Sequence, residues 1–148
     1  MHKGKILEGI GYNVKILKNE IEDHLREVKA QVKINNYQIE RNSNRRVNNE
    51  LFLNYILSEE EAKKILLSLE VNDFCHIKVN KHARFKNELL YVFGKDIPLI
   101  ERFKTGEKVV TLYIKINKLE DKYVIVVSFH ESAYPMKYYF KMNERKGR

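Results

Sequence analysis

The chemistry open to this 148-residue chain lies in five histidines, a single cysteine and a surplus of lysine and arginine. His76 and His82 bracket Lys78 in the run Phe74-Cys75-His76-Ile77-Lys78-Val79-Asn80-Lys81-His82, with Arg84 and Lys86 just beyond. His130 and Glu131 follow the apolar run Tyr123–Phe129, and Lys137 and Tyr138 follow Tyr134-Pro135. Imidazole exchanges protons near neutral pH, whereas lysine and arginine supply a charge that stays in place. Such a set suits cleavage of RNA without a metal. A base takes the 2′-OH proton, a cation steadies the phosphorane oxygens, and an acid protonates the departing 5′-oxygen. His76, His82 and His130 are the candidates for proton transfer, with Glu131 an alternative base or the group that orients His130. Lys78, Arg84, Lys86, Lys115 and Lys137 are the candidates for phosphate, and Tyr138, with Ser132 and Tyr134, can donate hydrogen bonds or stack on bases. Arg41, Arg45 and Arg46, in an asparagine-rich stretch, are a second set able to grip phosphates.

Each of these residues also has a plain structural reading. His130 can hydrogen-bond at a strand end, Lys115 and Lys137 can keep strands soluble, and residues 41–46 read as a solvated loop. His24 abuts an apolar helical stripe and reads as a boundary residue. Other chemistries find less support. The chain has no Walker loop, no Gly-x-Gly-x-x-Gly, no His-Glu-x-x-His and no Gly-x-Ser-x-Gly. His76 and His82 have no common metal-ligand spacing, and a lone Cys75 permits no disulfide within the chain. No metal and no cofactor are therefore expected.

The elements that must carry these residues are legible from periodicity. Val110, Leu112, Ile114 and Ile116 alternate with Thr111, Tyr113, Lys115 and Asn117, the period of a half-buried strand. A four-residue turn at Lys118–Asp121 sets the apolar four against Tyr123, Ile125, Val127 and Phe129. The opposite face then carries Thr111, Tyr113, Lys115, Ser128 and His130, with Val124 and Val126. Met136–Met142 reads as a last strand in one of two registers. A five-residue loop puts Met136, Tyr138 and Phe140 on the polar face; an even-length loop puts Lys137, Tyr139 and Lys141 there, which the chemistry favours.

Upstream, a helix from about Lys15, with Asn13 as its cap, presents Leu17, Ile21, Leu25, Val28 and Val32 as one stripe. Tyr37–Glu40 reads as a strand, and Leu51–Leu57 as either a buried strand or a helix. Ser58 and Glu61 have capping-box spacing ahead of Ala62, Ile65, Leu66 and Leu69. Phe74–His82 and Leu89–Phe93 read as strands, and Asp96-Ile97-Pro98 as the start of a short helix carrying Ile100 and Phe103 and ended by Gly106.

Helices followed by strands imply an α+β fold, with N-terminal helices on one face of a mostly antiparallel sheet of four to five strands. The expected organisation is one domain over 1–148: a mainly helical part to residue 72, a sheet over 73–142 and a basic tail at 143–148. The formal net charge is +8. Residues 1–72 carry 12 basic against 11 acidic side chains and residues 73–148 carry 16 against 9, so the excess travels with the sheet. A positive face draws polyanions, which makes RNA or another nucleic acid, or an acidic protein such as a cognate inhibitor, the expected partner. No apolar run of membrane-spanning length and no signal-peptide core are present, so a cytoplasmic protein without membrane contact is expected.

From about Phe74 to Lys141 the order of elements, together with His76-Ile77-Lys78 and His82-x-Arg84 ahead of the terminal hairpins, resembles the small bacterial endoribonuclease toxins. That group takes in barnase-like, EndoU-like, colicin-type and RelE-like domains. The resemblance implies a metal-independent endoribonuclease working from the basic sheet face. The chain departs from the group in lacking a defining motif and in the length of its first 70 residues, which would suit an accessory region for an inhibitor or partner. The competing expectation is a non-catalytic binding module of a phage or mobile element, in which residues 41–46 matter as much as the sheet.

Overall fold

The computed structural model describes residues 15–42, 44–79, 88–104, 106–119 and 121–141. The first helix, α1 (Lys18–Lys33), buries Ile21, Leu25, Val28 and Val32 as the stripe requires, together with His24. Leu17 lies outside the helix and is half exposed, and Ile16 is buried instead. The expected Asn13 cap falls outside the described residues. At the start of α1 the Leu17 N–H donates to Glu20 Oε1 at 3.0 Å. Beyond its end Asn35 takes φ +63°, the left-handed conformation that asparagine tolerates and helix C-termini use. The chain continues through β1 (Tyr37–Ile39), α2 (Arg46–Asn54), β2 (Tyr55–Ile56) and α3 (Glu59–Leu67). α3 starts on the anticipated capping box: Glu61 N–H donates to Ser58 Oγ at 3.1 Å and Ser58 N–H to Glu61 Oε1 at 2.9 Å.

A 3-10 turn (Val71–Asp73) leads into β3 (Phe74–Val79), β4 (Leu89–Glu101), β5 (Glu107–Lys118) and β6 (Val124–Glu131). The sheet order is β1-β6-β5-β4-β2, and β3 pairs with β4 as well. All pairs are antiparallel except β1 with β6. The result is a mixed α and β fold with N-terminal helices and a mostly antiparallel sheet. β1, read as a strand from the sequence, and β2, at the end of the stretch left open between strand and helix, are short pieces set between helices and add to the expected sheet. No described helix is long and apolar enough to cross a membrane.

Three expectations for the sheet need correction. First, the β5–β6 hairpin is closed by Leu119 and Tyr123, with Lys122 at φ +73°, rather than by a four-residue turn at Lys118–Asp121. That shift turns Val124 and Val126 inward against Ile116. Tyr123 and Ile125 therefore leave the apolar face. A bulge at Val127 then restores the parity, so Phe129 meets Ile114 inside while Ser128 and His130 stay outside. Second, Asp96–Phe103 is not helical. β4 runs unbroken through Gly94 and Pro98 to Glu101, because Ile97 and Leu99 find partners along β5. Pro98, with no N–H to give, lies where neither β3 nor β2 pairs with β4.

Third, the last strand expected at Met136–Met142 is not a strand in either register over its described residues, which end at 141. Residues 132–138 have no regular structure and cross the outer face of the sheet, where Met136 and Tyr138 pack on Cys75, Val92 and Tyr113. Tyr139 and Phe140 then join the inner core: Ile16 N–H donates to the Tyr139 hydroxyl at 2.9 Å, and the Phe140 ring lies 5.9 Å from Phe74. The chain thus passes from one face of the sheet to the other between 138 and 139. The helices cover the inner face, and this strap covers part of the outer one.

Candidate functional site

Cross-strand pairing decides which polar side chains share the outer face. His76 on β3 stands opposite Val92, Val92 opposite Lys115, and Lys115 opposite Ser128, which forms one row across four strands. On one side of it runs Lys78, Leu90, Asn117, Ile125 and Gln38. On the other side stand Gly94, Tyr113 and His130. Strands therefore bring His76, Lys78, Lys115 and His130 together on one surface, with Tyr113 and Ser128 among them. The β-bulge matters here, since without it His130 would point into the core.

The electrostatics of this surface are one-sided. His76 is half-buried, and burial, then the charges of Lys78 and Lys115, hold its imidazole below the usual histidine range. Lys115 is also half-buried; burial, then Lys78 and Arg45, hold its ammonium below the usual lysine range. Among the described residues neither lysine forms an ion pair, and Lys78 Nζ lies 5.9 Å from the centre of the Tyr113 ring. The His130 ring stacks on Tyr113 at 5.2 Å and 10°. Its Nδ1 is 2.9 Å from the Glu131 main-chain oxygen. A carbonyl oxygen only accepts, so Nδ1 carries the proton and Nε2 is left to exchange one.

The other residues singled out from the sequence are placed differently. Glu131 turns its carboxylate away from His130: Oε1 accepts from the Tyr55 hydroxyl at 2.9 Å and Oε2 lies 4.0 Å from Lys108 Nζ. It cannot orient the imidazole from there. Each arginine of 41–46 faces a carboxylate: Arg41 with Glu59 at 3.2 Å, Arg45 with Glu40 at 3.2 Å and Arg46 with Glu50 at 3.6 Å. Arg41 also lies 4.0 Å over the Phe52 ring. Tyr138 packs over Gly94, and burial, then Asp96, Cys75 and Asp73, push its phenol up to about 12. Its acidic neighbours are Asp96 and Asp73, and Lys141 Nζ lies 5.1 Å from the centre of its ring. Lys137 is exposed on the strap, Ser132 Oγ donates to Tyr134 O at 2.6 Å, and the Tyr134 ring is exposed. His82, Arg84 and Lys86 lie outside the described residues.

One member of the site, Asn117, was missed by reading the sequence alone. Arg45, singled out with Arg41 and Arg46 for phosphate, also acts on Lys115 through its charge, which its place in the sequence does not reveal. Asn117 sits on the polar parity of β5, which was a usable signal, but nothing in the sequence marks its surroundings. Among the described residues no group of three or more His, Cys, Asp or Glu side chains is arranged to hold a metal ion. Compared with protein-family models, with curated proteins and with solved structures, the chain matches none of them.

Proposed function

We propose that the outer face of the sheet binds RNA and cleaves it as a metal-independent endoribonuclease. The observation that carries this reading is the row His76–Val92–Lys115–Ser128 beside the Tyr113–His130 stack, with Lys78 alongside. Lys78 and Lys115 hold the phosphate and stabilise the charge that builds on its oxygens. His76, kept neutral by burial and by those two ammonium groups, takes the 2′-OH proton as the O2′–P bond forms. His130, through Nε2, gives a proton to O5′ as the P–O5′ bond breaks. The products are a 2′,3′-cyclic phosphate and a free 5′-hydroxyl. Because the His76 pKa is lowered, its basic form persists into mildly acidic solution, and activity falls only as the pH drops through that lowered value.

A second reading has one observation in its favour. β3 and β6 are three strand spacings apart, about 14 Å, so a single phosphodiester reaches both imidazoles only if it sits between them, over β4 and β5 beside Lys115. A face that binds nucleic acid without cutting it has no such requirement. Incubating the protein with structured and unstructured RNA in EDTA separates the two. Cleavage that yields cyclic phosphate ends, and that is lost in both H76A and H130A, supports the enzyme. Salt-sensitive binding with the RNA left intact supports the binding module, and an acidic protein retained in place of RNA points to an inhibitor-like partner.

A further inference from the structure

One polar atom on the outer face has its chemistry unfinished. Asn117 is 5 % exposed. Its Nδ2 donates to Glu88 Oε1 at 2.8 Å, and a carboxylate only accepts, so that contact fixes which end of the amide points where. Oδ1 is buried and, among the described residues, has no hydrogen-bond partner. Its polar neighbours do not meet the need: one row-mate, Gln38, accepts from the Tyr123 hydroxyl with Oε1 at 3.0 Å, and its amide N–H groups make no bond to Oδ1. On either side stand apolar Leu90 and Ile125. Lys78 lies opposite Leu90, and Lys115 is two residues away along the same face of β5, about 7 Å.

An unmet acceptor has to be matched by a donor, so phosphate cannot complete this site. A flat, largely apolar group that carries N–H donors and arrives tethered to a phosphate can. We propose that Asn117 is the base-reading residue of this face, its Oδ1 accepting a hydrogen bond from the N–H edge of a nucleobase whose phosphate is held by Lys115 and Lys78. The inference rests on the reading that the outer face holds RNA. Glu88 is the positioning residue, because it stops the amide from flipping. A buried acceptor left unsatisfied in the free protein weakens the fold, while one satisfied by substrate discriminates strongly between bases. Asn117 therefore trades stability for selectivity.

The test uses four RNA oligonucleotides of equal length, each rich in one base, and measures cleavage, or binding at low salt if none is cut. The full chain is compared with N117L and E88A, and the unfolding midpoint of each is recorded. The native chain should prefer one base at least tenfold. N117L should reduce that preference to within about twofold while unfolding at or above the native midpoint. E88A, altered where β4 begins, should weaken the preference with the fold intact, and it carries the test if N117L fails to fold. RNA cut or bound without base preference by the native chain, or a preference unchanged in either folded variant, overturns the role of Asn117 alone. Failure of every RNA to bind or be cut overturns the outer-face reading as well. A loss that is equal for all four bases and sensitive to removal of the 2′-hydroxyl overturns the base-reading role alone, since Oδ1 would then be reading the sugar.

Discussion

His24 and His76 are both held neutral, by different surroundings and with different consequences. His24 lies in the core against Tyr91, ring centres 3.6 Å apart, and burial, helped by Lys118, lowers its pKa to about 3. The unfolded chain takes up a proton on this residue below about pH 6.5, whereas the folded chain does not until near pH 3. Stability tied to His24 is thus complete above pH 6.5 and drains as the pH falls, by about 1.4 kcal/mol per pH unit between roughly pH 6 and pH 4. Urea unfolding at pH 7, 6 and 5 should show this slope, and H24F should flatten it. An identical slope in H24F would place the acid sensitivity elsewhere. His76 belongs to the outer face of the sheet, and its two lysine neighbours add to the effect of burial.

At the scale of elements, one asparagine on α2 replaces a strand. β1 pairs with β6 only over Val124–Val126, and the edge beyond it is met by Asn48. Asn48 Nδ2 donates to Val127 O at 3.0 Å and to Glu40 O at 2.8 Å, and Oδ1 accepts from Phe129 N–H at 2.9 Å. The side chain therefore clasps both ends of the bulge that sets the direction of Ser128 and His130. N48A should cost about 2–4 kcal/mol in chemical unfolding, since it strands the buried Phe129 N–H. It should also shift the NMR signals of His130; a loss under 1 kcal/mol would mean that water serves as well. The strap depends on Gly94 in a comparable way. A Cβ there would lie 2.8 Å from Met136 Cγ and 3.0 Å from both Met136 Cβ and the Tyr138 hydroxyl. G94A should therefore lower stability by about 1–3 kcal/mol and make residues 132–138 more open to protease. Native-like protection in G94A would show that the strap moves aside without cost.

For the molecule as a whole, the decisive property is where unpaired charge remains. The arginines of 41–46 face carboxylates, so a phosphate has to compete for them. Lys78 and Lys115 have no such partner among the described residues, and they share a face with two aromatic rings. Binding of single-stranded RNA should therefore weaken steeply with salt. Each lost phosphate contact should lower the slope of log K against log salt by about 0.7, so K78M/K115M should lower it by about 1.4. Fluorescence anisotropy from 50 to 300 mM salt measures this. R46A should leave the slope unchanged; if R46A reduces it and the lysine pair does not, binding lies on α2 and not on the sheet.

The sequence alone determined whatever depends on near neighbours. The alternation on β5, the stripe on α1 and the Ser58–Glu61 cap follow from side-chain geometry within a few residues. So does the placing of Tyr113, Lys115 and Asn117 on one polar parity. Contacts between distant segments decided the rest, because they leave no local signature. The hairpin closure and the Val127 bulge cancel in parity, so Ser128 and His130 reached the outer face by a path that periodicity does not describe. Glu131 left His130 for Tyr55, a residue 76 positions away, and Met136 and Tyr138 became a cover rather than a strand. The orphaned acceptor of Asn117 belongs to the same class: only packing decides which hydrogen bonds go unmade.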